Sequence, residues 1–338
     1  MLLNKLYLDN FRSYGKKEFK FDNGITLVVG PNTAGKSNLL EALFLLAFGT
    51  SPRAGLDREM IKTGEKLGFV RGFFLEDGEK ELEVVLTATG KRFRVNGVGR
   101  RLSDFSSHFH VVLFSPHDLN LVSGRPDLRR RFVDLALGSV DQDYARAFRE
   151  YDKIRKRRNR LLERINQSRG EDEELGFWDA KLLEHGVLLQ DKRKAFFDEV
   201  NREVSTDGFL LKYLPSGLTA ERLREYRPRE IAAETTLIGP HRDDFSFFYG
   251  DKDLSAYGSR GEQRRAVLTL KKAELEFVQD KTGERPLLLL DDIFSELDKD
   301  NRSRVFDLIG GSLQTIITTT DLRNVPQGLN KDFKTIEL

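Results

Sequence analysis

Cysteine is absent from the 338 residues, which excludes a disulfide framework and any thiolate metal site and fits a reducing, cytoplasmic setting. Histidine is scarce, and none of the five stands at ligand spacing from another, so no metal is expected beyond the one a nucleotide brings. Long apolar runs are also missing. The greasiest stretch, "LLEALFLLAF" at 39–48, contains Glu41 and is too short to cross a bilayer, so it reads as a buried helix and no membrane association is expected. The opening "MLLNKLYLDNFRSY" has a charge within five residues and no apolar centre, so it does not read as a secretory leader. Charge of one sign is lacking too. With 56 Lys and Arg against 54 Asp and Glu the net charge is +2, so attraction to a polyanion must come from local clustering. Internal repeats and low-complexity linkers are absent.

What is present, 39% hydrophobic and 33% charged residues, describes an ordinary globular protein long enough for two domains, or for one with a large insertion. The first third reads as strands: "LLNKLYL" alternates, and "ITLVV" precedes the glycine-rich "GPNTAGKSN" at 30–38. Asp77-Gly78 and Asn96-Gly97 are tight-hairpin signals, which predicts a small antiparallel sheet. From about residue 117 the texture changes. Tyr144, Phe148, Tyr151, Ile154, Leu161 and Ile165 recur at helical steps, and a second long helical stretch begins near Phe177, which together predict an antiparallel hairpin. Mixed α/β texture returns near residue 225. The expected organisation is a head built from 1–116 and 226–338 around an inserted α-helical lobe at 117–225.

"GPNTAGKS" has the spacing of a phosphate-binding loop, with a strand before it and a helix after it. Gly30, Pro31, Asn32, Thr33, Ala34, Gly35 and Asn38 would wrap around phosphates, aiming the backbone N–H groups of the residues other than proline at them. Lys36 would reach the β and γ phosphates, and Ser37 would ligate Mg²⁺. "LLLLDD" at 287–292 is an apolar strand ending in two carboxylates. Asp291 is placed to hold the Mg²⁺ shell, and Asp292 to orient attacking water. The two half-sites lie 254 residues apart, so something large is inserted between them. No N-K-x-D motif reads guanine, so the base is expected to be adenine and the nucleotide ATP. "YGSRGEQRR" at 257–265 puts Ser259, Arg260 and Gly261 at a helix start, an anion site with an obvious use if it serves a second subunit.

In their order, "GPNTAGKS", "SRG", "LLLLDD" and "SELD" resemble the ABC-type ATPase pattern. With "NFRSY" (10–14), "FSPHDLNLVSGRPDLRRRFVDLAL" (114–137), "YDKIRKRRNRLL" (151–162) and "GPHRDDF" (239–245), nearly the whole chain resembles the RecF family of bacterial recombination-repair ATPases, small relatives of the SMC proteins. The resemblance implies an α/β head with a mixed core sheet plus an antiparallel β subdomain. It implies ATP and Mg²⁺ at Gly30–Asn38 and Asp291, a Ser259–Gly261 signature acting across a homodimer, and a dimer-contacting loop at Ser295–Asp298. It also implies DNA binding at gaps or single/double-strand junctions, and work with RecO and RecR to load RecA in repair, replication and the SOS response. Two departures stand out. Thr33 occupies a place where the family more often has glycine. Asp292 stands for a glutamate, and "IITTTDL" lacks the switch histidine of transporter ATPases, offering Thr320 or Asp321, so slow hydrolysis is expected.

Between Arg125 and Arg169 there are fourteen basic and seven acidic residues, and six of the eight in "KIRKRRNR" are basic. The run reads equally as a solvated helix face or as a phosphate-tracking surface. The resemblance favours DNA, with Arg155, Lys156, Arg157 and Arg158 as candidate contacts. His241 and Arg242 have two readings, a place near nucleotide or DNA, or a strand cap paired with Asp243 or Asp244, and the structural pairing is favoured. A transporter's ATPase subunit would leave the long basic insertion unexplained, and an SMC-like tether would need a much longer heptad run.

Overall fold

The computed structural model describes residues 1–76, 78–297, 299–310, 312–325 and 333–338. Asp77 of the first hairpin signal and Asp298 of the expected dimer loop lie outside the described residues. The chain divides into two compact units: 1–119 with 260–338, and 120–259.

In the first unit, strands β1 (Leu2–Phe11), β2 (Tyr14–Lys20), β4 (Leu67–Glu76), β5 (Gly78–Thr87), β6 (Gly90–Val95) and β7 (Val98–Arg100) make an antiparallel sheet in the order β2-β1-β4-β5-β6-β7. At the β6–β7 turn Asn96 and Gly97 both take positive φ, 49° and 77°, the primed geometry that Asn-Gly supplies cheaply. A second sheet, β14-β3-β13-β12-β8, joins β3 (Gly24–Val29), β8 (Val111–Phe114), β12 (Leu287–Asp291), β13 (Gln314–Thr319) and β14 (Phe333–Glu337). Every pairing in it is parallel. The core sheet, which the resemblance implied to be mixed, is parallel among the described residues, and the antiparallel strands form a sheet of their own. "LLLL" in β12 and the whole of β13 are buried, as parallel strands covered on both faces must be. Helix α1 (Lys36–Phe48) shares one apolar core with both sheets, through Leu39, Leu43, Leu46, Leu6, Val70, Leu289 and Ile316. It stops at Gly49, whose positive φ of 63° lets its N–H reach Leu45 O at 2.8 Å.

In the second unit the long helices are α2 (Pro126–Val140), α3 (Gln142–Asn166), α4 (Leu175–Val204) and α5 (Ala220–Ala232). A small antiparallel sheet accompanies them, from β9 (Phe209–Leu214), β10 (Asp244–Tyr249) and β11 (Lys252–Asp253). Helices α3 and α4 run antiparallel, since Tyr144 meets Arg193 (3.0 Å) and Arg158 meets Asp179 (2.7 Å), partners that rise in one helix as they fall in the other. Residues 226–259, expected in the head, belong to this unit instead. β9 and β10 pair along their lengths, and β10 is held to α2 by the Arg129–Asp244 fork (2.6 and 2.9 Å).

In the first unit, α6 (Arg260–Thr282) carries a buried charge cluster: Lys271 Nζ lies 2.9 Å from Glu274 and 3.2 Å from Asp118. Burial pushes the Glu274 carboxyl up, with the Lys271 ammonium opposing it. Helix α7 (Lys299–Gly310) packs beside α6.

Candidate nucleotide and nucleic-acid sites

The C-terminal ends of β3, β12 and β13 lie side by side, with Val29 opposite Thr319 and Asp291 opposite Thr318. Ligands of open parallel sheets bind at such an edge. Past Val29 the chain turns through Pro31–Ala34, closed by Ala34 N–H on Pro31 O at 3.2 Å. Thr33, the third residue of that turn, sits at φ 78°, a left-handed conformation that favours glycine and strains a β-branched residue. Gly35 follows at φ 106°, and any Cβ there would lie 2.7 Å from the Tyr14 hydroxyl. Successive peptides turned this way form a nest of N–H groups at the start of α1. Lys36, only 7% exposed, donates to Gly30 O (2.6 Å) and Pro31 O (2.9 Å), so its ammonium lies across the mouth of the loop.

Ser37 Oγ donates to Asp291 Oδ1 at 3.0 Å, which brings the two halves of the motif together across 254 residues. A hydroxyl and a carboxylate here are hard oxygen donors suited to Mg²⁺ beside a nucleotide's phosphates. Among the described residues, no cluster of three or more His, Asp or Glu side chains is arranged to hold a metal. Asp292 turns left-handed (φ 48°, ψ 30°), and its N–H reaches both the carbonyl (3.2 Å) and hydroxyl (3.0 Å) of Thr318. Thr318 also donates to Asp291 Oδ1 at 2.8 Å. Thr318 escapes sequence reasoning, because nothing distinguishes it from Thr319 or Thr320 until strand register is known.

The "NFRSY" segment forms a collar around the loop. Arg12 grips Glu41 of α1 with two nitrogens (3.0 and 2.6 Å), Asn38 donates to Ser13 Oγ (2.9 Å), and Tyr14 donates to Gly35 O (3.1 Å). Burial pushes the Tyr14 hydroxyl up to about 12, so it remains a donor. Arg53 completes the collar, donating from Nη2 to Glu41 (2.8 Å), Ser37 O (2.6 Å) and Asn38 Oδ1 (3.2 Å), and Ser51 donates to Glu41 as well. The Glu41 that interrupts the apolar run is thus a fully buried carboxylate held by two guanidinium groups. A buried carboxylate demands such partners, which is the signal that sequence reading left unused.

Ser259 closes the second unit, and Arg260 and Gly261 open α6 in the first. Ser259 and Arg260 are exposed. Ser295 donates to Asp292 O at 2.8 Å and is also exposed.

The basic run behaves unevenly. Arg158, a candidate DNA contact, is instead fully buried. It donates to Asp179 (2.7 Å), Thr236 (3.0 Å) and Glu230 (2.6 Å), so no phosphate can reach it. Its place in the 3.6-residue repeat turns it towards α4 while its neighbours face solvent. Arg155 and Lys156 share Asp152 at 2.8 and 2.6 Å, and the Arg157 guanidinium lies 5.7 Å from the Trp178 ring. Lys153, Lys156, Arg157 and Arg160 are exposed at steps of three and four. His241 pairs with neither Asp243 nor Asp244. Its Nε2 faces Thr236 O (2.9 Å) and its Nδ1 the Tyr151 hydroxyl (2.8 Å), so the neutral ring donates from Nε2 and accepts at Nδ1. Burial drives its pKa down to about 4.

A parallel sheet with a glycine-rich loop after one strand, and after another an aspartate hydrogen-bonded to the serine of that loop, beside an antiparallel sheet, defines a P-loop ATPase head of the ABC type. The chain belongs to the RecF family: the model of the RecF/RecN/SMC N-terminal domain matches residues 2–334. Relatives named DNA replication and repair protein RecF, from Bacillus cereus and Bacillus thuringiensis, are 35% and 34% identical, spanning 100% of this chain and 97% of each relative. Two solved structures, described as the recombination mediator protein RecF-ATPrS and RecF-ATP in the RecFOR pathway, superimpose with TM-scores of 0.90 and 0.89. They are 31% and 32% identical and cover 99% and 96% of this chain, matched over 95% and 93% of theirs. An SMC head bound to the C-winged helix domain of ScpA matches at TM-score 0.54 and 19% identity, over 100% of this chain and 95% of that one, a likeness of fold alone.

Proposed function

We propose that this chain is an ATP-dependent DNA-binding protein of recombinational repair, in which ATP binding closes a homodimer on DNA. The observation that supports the reading is the Ser37–Asp291 contact at the mouth of the glycine loop, which brings together two distant segments whose oxygens suit a nucleotide's metal. Phosphate oxygens would take the Lys36 ammonium from the Gly30 and Pro31 carbonyls it now holds. Ser37 and Asp291 would hold Mg²⁺, which would offset the negative charge of the phosphates. Asp292 at its left-handed turn would orient water. An aspartate there, without a switch histidine, suits slow hydrolysis that resets the dimer. Ser259, Arg260 and Gly261 of one protomer would read the γ phosphate held by the partner, so only the triphosphate favours the closed state.

The exposed stripe of Lys153, Lys156, Arg157 and Arg160 on α3 would track DNA phosphates, with Arg155 beside it. RecF relatives act in the RecFOR pathway by description, and the same role here means work with RecO and RecR at gaps or junctions to load RecA. Light scattering with and without ATP–Mg²⁺ tests the switch: the wild type should double in mass and Lys36→Met should not. A wild type that binds ATP yet stays monomeric on gapped DNA would refute it.

A further inference from the structure

We propose that Thr318 is a positioning residue for the Mg²⁺ site, fixing the carboxylate of Asp291 and the turn at Asp292 through one hydroxyl. Strand register carries the argument: Thr318 is the partner of Asp291 in the parallel ladder, and it is fully buried. Its Oγ1 donates to Asp291 Oδ1 at 2.8 Å and accepts the Asp292 N–H at 3.0 Å. The other acceptor near that hydroxyl, Leu290 O, is farther away at 3.4 Å. Asp291 Oδ1 therefore receives two hydroxyls, Thr318 and Ser37, and both act on the same oxygen. Tying one carboxylate oxygen fixes the side-chain torsion and aims the other. Were the Ser37 hydroxyl turned to a metal, Thr318 would remain as the donor that keeps Asp291 in place. The same hydroxyl supports the left-handed turn that sets the direction of Asp292. One buried side chain thus couples the metal ligand to the water-orienting carboxylate.

Valine keeps the shape and the β-branch of threonine and removes only the hydroxyl. The Asp292 N–H retains the Thr318 carbonyl at 3.2 Å, so Thr318→Val should fold. The test is a Mg²⁺ titration of fluorescent ATP-analogue binding, which needs no turnover. Losing a residue that orients a metal ligand typically weakens metal affinity by about 10–100-fold. The Mg²⁺ needed for half-maximal binding should therefore rise roughly tenfold or more in Thr318→Val. Binding in excess EDTA should be unchanged, and Thr318→Ser should stay within about twofold of wild type. In an Asp291→Asn background, Thr318→Val should add nothing, because the two residues act through one another.

A Thr318→Val variant with wild-type Mg²⁺ dependence overturns the proposal, as does a Thr318→Ser variant impaired like valine. Failure of Thr318→Val to fold overturns it too, since the hydroxyl would then be holding the sheet together. The proposal rests on Ser37 and Asp291 holding Mg²⁺. Wild-type nucleotide binding indifferent to Mg²⁺ would remove that reading itself, whereas the outcomes above remove only the part assigned to Thr318.

Discussion

Replacing Arg158 with alanine should cost the α-helical unit much of its stability rather than its affinity for DNA. The guanidinium is 0% exposed and satisfies Asp179, Glu230 and Thr236 together. Glu230 is equally buried. Its second oxygen accepts the Leu237 N–H at 2.8 Å, so removing Arg158 leaves a buried carboxylate with one hydrogen bond and no salt-bridge cation. Asp179 loses less, because Arg227 still holds its other oxygen at 2.8 Å. Breaking a buried pair from one side costs about 3–5 kcal/mol, against a typical total of roughly 5–15 kcal/mol for a domain. The urea midpoint should therefore fall by about a fifth or more at unchanged slope. Trp178, the single tryptophan, lies in α4 one residue from Asp179, so its fluorescence reports on this unit. The pair Arg158→Met with Glu230→Gln should recover much of the loss, because no charge is then stranded. An Arg158→Ala protein as stable as wild type but weakened on DNA would refute the reasoning and return Arg158 to the DNA surface.

Other outcomes follow from the same contacts. Thr33→Gly should leave stability in urea unchanged or raise it by about 1 kcal/mol, since relief of a strained left-handed residue, worth about 1–3 kcal/mol, outweighs glycine's extra unfolded entropy. A loss above that size would mean that the Thr33 side chain supports the loop. His241 titrates lower in the folded chain than the ordinary 6.5, so the unfolded chain takes up its proton first. Stability should drop as pH falls from about 6.5 to about 4, and His241→Gln should show a smaller drop in paired denaturation curves. Changing Lys156, Arg157 and Arg160 to alanine should flatten the salt dependence of DNA affinity by about 0.9 in log–log slope per lost duplex phosphate contact. An unaltered slope would take α3 off the DNA surface.

The glycine-rich loop was legible as a turn between a strand and a helix because its geometry is local, with β3 ending at Val29 and two left-handed positions, Thr33 and Gly35, just before Lys36. The antiparallel hairpin was legible because apolar residues repeat at helical steps from Tyr144 to Ile165. Arg158 was not, since buried and exposed arginines share a letter, and its carboxylate partners lie 21 and 72 residues away. The limit of the helical unit was missed for a related reason. Strand β10 looks like a head strand in sequence, and only its pairing with β9 places it elsewhere. Thr318 depends on parallel register, which no local pattern encodes.

The composite site itself is tested most directly by mixing two variants, Lys36→Met and Ser259→Arg, with ATP–Mg²⁺ and measuring mass in solution. Alone, Lys36→Met should bind no ATP, Ser259→Arg should bind ATP, and both should remain monomeric. Together they should form a dimer, because one of its two sites pairs an intact Lys36 with the partner's intact Ser259. A mixture that stays monomeric, or a Ser259→Arg protein that dimerises on its own, would contradict a nucleotide held between two subunits.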